Sequence, residues 1–242
     1  MDLGGILLPV LALTLGVATS VYFTVLWWQC RGSSEHAKGL LFWAIGLFLM
    51  FWFQVPAILI GFGKTITVTD FNFFFALTFP ITFLALILFY FGILRISWVS
   101  LSMKSKNLFF GWLGLAIFFF SYQFIVNKGI ISTYLLPLGG NILFYLPVRL
   151  IIVFAVIKLL SQPGIRTPSG IFGVICILGE MALGAARNIF VIKNVLRYPP
   201  QFWYIVLSGS KFFFTTQTLS VILLTLGFFF LHRAFHRQLK SI

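Results

Sequence analysis

Residues 201–231 read QFWYIVLSGSKFFFTTQTLSVILLTLGFFFL, with Lys211 as the one charged side chain. At about 1.5 Å of rise per residue, such a stretch outruns the ~30 Å hydrocarbon core of a bilayer, so it reads as a transmembrane helix. Ser208, Lys211, Thr215, Thr218 and Thr225 recur at three- and four-residue steps or their sums, which puts them on one helix face. An ionisable group in hydrocarbon is costly and normally faces a protein interior or a water-filled cavity. Lys211 is therefore expected to look into a bundle, with Ser208, Thr215 and Thr218 lining a pocket beside it.

Working outward, the same reading repeats along the chain. Of its 242 residues, 60% are hydrophobic and 9% charged, against about a quarter charged in a soluble domain. The expected fold is all-α: a polytopic membrane protein whose single domain is a bundle of seven transmembrane helices. The spans fall at about 3–28, 39–62, 71–94, 108–126, 134–160, 170–192 and 201–231, with a short basic tail at 232–242. Pro56 is expected to kink the second span. The N-terminus lacks the basic region of a signal peptide, so the first span is expected to be retained.

The formal net charge is +13. No basic run is long enough to form a nucleic-acid groove. The charges instead sort by side. Ten lysines and arginines (Arg31, Lys38, Arg95, Lys104, Lys106, Lys158, Arg166, Arg233, Arg237, Lys240) fall on one side. Four (Lys64, Lys128, Lys193, Arg197) fall on the other. The positive-inside rule then sets the N-terminus outside and the C-terminus in the cytoplasm of an inner or plasma membrane. The basic loops and tail are expected to meet anionic lipid headgroups. Cys30 and Cys176 sit far apart in this topology, so no disulfide is expected.

Three further ionisable residues lie inside spans. Glu180 stands close to the midplane of the sixth. Arg187 follows two turns later on nearly the same face, which also carries Gly173, Cys176 and Gly184. Small residues on such a face permit close helix approach. Lys211 is expected at the depth of Arg187. Two cations at one level need an anion, either Glu180 or an anionic ligand. The cluster is thus expected to be a clasp between the sixth and seventh helices or the floor of an outward-facing anion-accepting pocket. The alternative for Lys211 is a stem that snorkels to the outer interface. Arg149, with Asn141 and Tyr145 at four-residue steps, extends this polar interior from the fifth span or snorkels toward the cytoplasm.

What is missing narrows the chemistry. The three histidines, His36, His232 and His236, fall in a loop and the tail. No span therefore offers an imidazole to a haem. No metal-ligand spacing, nucleophile–base set or phosphate-cradling glycine loop occurs. Neither a metal, a cofactor nor an enzymatic activity is expected.

The segments Phe42-Trp43-Ala44-Ile45-Gly46-Leu47-Phe48 and Leu226-Gly227-Phe228-Phe229-Phe230-Leu231-His232-Arg233 resemble the aromatic–small–glycine pattern of bacterial seven-helix sensory input modules. That resemblance implies a receptor-like membrane module, with its output passed to a membrane or cytoplasmic protein partner. A second likeness starts from a repeat. Phe73-Phe74-Phe75 with Phe89-Tyr90-Phe91 in the third span parallels Phe212-Phe213-Phe214 with Phe228-Phe229-Phe230 in the seventh. Spans one to three and five to seven would then be parallel repeats joined by span four, a layout similar to sugar-efflux carriers. A third is to microbial rhodopsins, carried by Lys211 in the last helix and by Thr78-Phe79-Pro80. It implies retinal on Lys211, but the third span has no counterion acid and the sixth no retinal-pocket pattern. The leading expectation is a non-enzymatic sensory module or accessory subunit that binds a small apolar or anionic ligand. The alternatives are a small-solute transporter and a retinal protein.

Overall fold

The computed structural model describes residues 3–31, 37–51, 54, 58–59, 62, 67–96, 103–126, 135–198 and 210–239. Within them all regular structure is helical. The helices are α1 (Leu3–Cys30), α2 (Ala37–Met50), α3 (Val68–Ile96) and α4 (Met103–Val126). Next comes α5, which opens as a π-helix (Leu135–Tyr145) and runs on as an α-helix (Leu146–Leu159). A 3-10 turn (Pro163–Arg166), α6 (Pro168–Arg197) and α7 (Lys211–Leu239) complete the order. Five of these helices contain apolar spans long enough to cross a membrane: Leu7–Cys30, Leu77–Ile96, Leu136–Leu159, Pro168–Arg197 and Lys211–Phe235. This is the build of an all-α, multi-pass membrane protein.

Several boundaries differ from the sequence expectation. The start of α6 is set by Thr167, whose hydroxyl accepts from the Gly170 amide at 3.2 Å, with Pro168 in the first turn. The same helix continues to Arg197, because no breaker intervenes before Pro199. The basic residues after the last span continue α7 as helix to Leu239, since residues 232–239 contain neither glycine nor proline. Pro56 and the stretch 201–209, Ser208 included, lie outside the described residues.

The π-helical opening of α5 was not expected. Proline lacks an N–H, and its ring crowds the carbonyl four residues earlier. For Pro147 that carbonyl belongs to Leu143. It accepts instead from the indole Nε1 of Trp112 on α4, at 3.2 Å. The irregular segment is thus anchored by a neighbouring helix, as non-helical polar groups in a membrane require.

Successive helices run antiparallel. Gly16 and Ser20 of α1 meet Phe51 and Ala44. Gly39 and Gly46 of α2 meet Gly92 and Phe89 of α3. In turn, Phe83 and Phe91 of α3 meet Phe120 and Phe109 of α4. Tyr22 and Phe23 of α1 lie beside His232 near the far end of α7, so α1 and α7 are parallel. Where Phe228 of α7 enters the core, it stands 4.6 Å from Trp43 and 4.8 Å from Phe89, centroid to centroid. Helix α4 lies at the edge, with Leu108, Leu115, Phe118 and Ile125 exposed. Such apolar side chains belong against lipid tails. At the end of α1, the Arg31 guanidinium sits 3.6 Å above the Trp28 ring, a cation–π pair suited to the membrane interface.

The tightest helix contact is α6 against α7. A Cβ on Gly173 would lie 2.9 Å from the Gly227 carbonyl oxygen and the Leu231 amide. A Cβ on Gly227 would lie 2.6 Å from Ile177. Only glycine lets these backbones touch. Gly227→Leu is expected to destabilise the protein by about 1–3 kcal/mol, read as a lower melting temperature in detergent. Gly114→Ala, where nothing lies within 4 Å, should leave the melt unchanged.

Candidate functional site

Arg149, Glu180 and Arg187 are all buried where α5, α6 and α7 meet. Nη1 of Arg149 donates to both carboxylate oxygens of Glu180, each at 3.0 Å. The carboxylate is fully buried and the guanidinium nearly so. This pair joins α5 to α6. The expected clasp between α6 and α7 through Lys211 is therefore replaced by one reaching the opposite way. Gly184 explains how. A Cβ there would lie 2.0 Å from the Arg149 guanidinium, so the arginine crosses α6 through the gap this glycine leaves. The small face read from the sequence has two uses: Gly184 admits Arg149, and Gly173 admits α7. The Nε and Nη2 atoms of Arg149 are buried without a hydrogen-bond partner among the described residues.

Arg187 lies two turns beyond Glu180, about 10 Å along the helix. Its Nη1 donates to the Ser220 hydroxyl on α7 at 3.1 Å. Lys211 is not its neighbour. That residue opens α7 with an exposed side chain, as does Thr215 one turn on. The stripe read from Lys211 to Thr225 divides physically. Thr218 and Thr225 are buried, and Thr218 donates to Gln54 Oε1 at 3.3 Å. The face of α7 that packs against α6 and the core runs instead through Phe213, Gln217, Ser220, Leu224, Gly227 and Leu231, a regular three- and four-residue repeat. With Lys211 exposed, the enclosed lysine that a retinal Schiff base needs is not formed by the described residues.

Asn141 and Tyr145 are both buried; Tyr145, one α-helical step before Arg149, extends the polar interior, whereas Asn141, inside the π-helix, does not. The π-helix has changed the register. Asn141 donates back to the Pro137 carbonyl of its own helix. Across the bundle, the Tyr145 hydroxyl donates to the Phe79 carbonyl of α3, with the Thr78 carbonyl 3.4 Å away.

These contacts surround a cavity of about 40 Å³ at the junction of α3, α5, α6 and α7. Its polar lining comes from Thr78, Thr82, Tyr145, Arg187, Asn188 and Gln217, and Phe79 and Phe213 close it. Thr82 is engaged with the Thr78 carbonyl at 2.8 Å. Asn188, Gln217 and Ser220 were not singled out from the sequence. The available signal was phase: Gln217 and Ser220 sit three residues apart on the apolar repeat of α7, and Asn188 is next to Arg187. A second cavity, about 850 Å³, lies between α3 and α4. It is lined by apolar side chains such as Leu84, Leu88, Phe91 and Ile117, with Arg95 at one end.

Fold and site together define a helical multi-pass membrane protein with ionisable groups packed between its helices. No protein-family model, curated protein or solved structure matches the chain.

Breaking a buried ion pair leaves an uncompensated charge, whereas replacing both partners by apolar groups is often neutral. Arg149→Met and Glu180→Leu are each expected to destabilise by about 3–5 kcal/mol, and the double variant to recover most of the loss. Denaturation in detergent micelles measures all three. Additive losses would mean that the two side chains do not act as a pair.

Proposed function

We propose that this chain is a non-enzymatic integral membrane module of seven spans, with its N-terminus outside and C-terminus in the cytoplasm. It serves as a receptor-like or sensory module, or as an accessory subunit of a membrane assembly. A small anionic ligand binds where α3, α5, α6 and α7 meet. The observation that carries this reading is the buried Arg187, facing a polar cavity that four helices share. Ionisable groups at such depth are functional candidates by default. The antiparallel succession of the helices and the parallel pair α1/α7 support the seven-span count. A ligand at the junction touches α7 near Gln217, and α7 continues as one helix to Leu239. Occupancy is thereby coupled to the far end of the bundle, where a partner protein would read it.

A packing pattern favours the transporter as the second reading. Helices α1–α2, α2–α3 and α1–α7 are in contact, and so are α5–α6, α6–α7 and α5–α3. Exchanging helices one to three with five to seven maps one set onto the other, as two parallel repeats would require. Reconstitution separates the two readings. A sensory or accessory module should co-purify with a partner and give no saturable solute flux in liposomes. Flux that Arg187→Gln abolishes would establish the transporter instead.

Anionic lipid headgroups are the proposed partners of the basic ends. Arg95 lines one end of the α3/α4 cavity, which supports a headgroup there with its acyl chain along the apolar lining. Native mass spectrometry should show preferential retention of an anionic over a zwitterionic phospholipid, lost in Arg95→Gln. Equal retention of both lipids by the unmodified protein would remove this partner.

A further inference from the structure

We propose that the four-helix junction holds one small monovalent anion of halide size as the counter-ion of Arg187. This rests on reading the junction as a ligand site, and it names the ligand class.

The charge balance comes first. Two guanidinium groups and one carboxylate are buried within two turns of each other along the bundle. Arg149 takes both oxygens of Glu180. For Arg187 the described residues supply a neutral hydroxyl, Ser220, and no carboxylate in ion-pair contact. A guanidinium does not give up its proton at physiological pH. Arg187 is 7% exposed, and a buried cation needs a paired anion. Water in the cavity would satisfy its N–H groups but not its charge.

The donors come second. Asn188, 5% exposed, lines the same cavity. Its Nδ2 is buried and has no hydrogen-bond partner among the described residues. The hydroxyls of Tyr145 and Thr82 give their protons to carbonyls of α3. An occupant meets a cation and an amide N–H, a pair that recognises an anion, and beside them the buried acceptor Oε1 of Gln217. Size comes third. The cavity, about 40 Å³, has room for one small ion. A chloride or bromide ion fits.

The test uses the full chain in detergent, with sodium bromide or chloride against sodium gluconate at equal ionic strength. Melting temperature should rise saturably with halide, and crystals grown in bromide should show an anomalous peak beside Arg187. Arg187→Gln should abolish the halide response. Should that variant fail to fold, Asn188→Leu, which keeps the volume, should weaken the halide midpoint about tenfold. Identical melting in halide and gluconate, with no bromide peak, would overturn the proposal and leave a water-filled cavity. A halide response unchanged in Asn188→Leu would place the ion elsewhere and overturn it equally. Partner capture and flux test the module's role without reference to halide. An empty junction in a partner-bound protein defeats only the ion, and a halide peak in a flux-competent protein defeats only the sensory role.

Discussion

A carboxylate deep in a bilayer must find a cation, and here the cation comes from across α6. Glu180 lies fully buried against Arg149. That one contact sets several others. The arginine reaches the acid only because position 184 carries no side chain. Its entry fixes the rotation of α5 about its axis, and hence the direction in which Tyr145 leaves toward α3. Arg187, two turns further along α6, is left with the Ser220 hydroxyl on α7. The polar junction is the consequence of how one acid is neutralised.

Around that junction, helix spacing is set by close backbone approach and filled by rings. Glycines bring α2 against α3 and α6 against α7. Lipid tails are as apolar as leucine, so hydrophobic burial does not drive helices together within a bilayer, and packing contacts must. Phe228, Trp43 and Phe89 supply them where α2, α3 and α7 converge. Peripheral α4 contributes mostly aromatic contacts and one indole N–H, given to a carbonyl that Pro147 cannot let its own helix use.

Much of the architecture was legible because hydropathy is a long-range, additive signal. Stretches of apolar residues longer than a bilayer declare themselves, and the five long apolar helices follow them. The identity of the buried ionisable residues on α5 and α6 was legible too. Pairing was not. Lys211 was assigned inward from a periodic stripe of threonines, but threonine tolerates either environment and carries little phase information. The Phe213–Gln217–Ser220–Leu224 repeat held the true phase of the face that meets α6. Arg149 was read in α-helical steps with Tyr145 and Asn141, and a π-helix breaks that arithmetic for Asn141. The shift originates in a proline whose displaced hydrogen bond is absorbed by another helix, a tertiary event that no local window reports.

The energetics argue that the junction is kept for more than holding helices together. A buried ion pair contributes little net stability relative to an apolar pair of similar volume. Gly184, needed to admit it, costs roughly 0.5–1 kcal/mol relative to alanine in a helix. Arg187 adds a cation with no carboxylate in ion-pair contact among the described residues, and the Asn188 amide, without a hydrogen-bond partner among them, adds a desolvated donor. Each of these features weakens the bundle alone. Arg187 and Asn188 share one cavity between four helices, one of which, α7, runs on unbroken for about 33 Å from Gln217 to Leu239. Groups that cost stability and converge on one small polar space are what a binding site requires, and a structural clasp would have needed only the first pair.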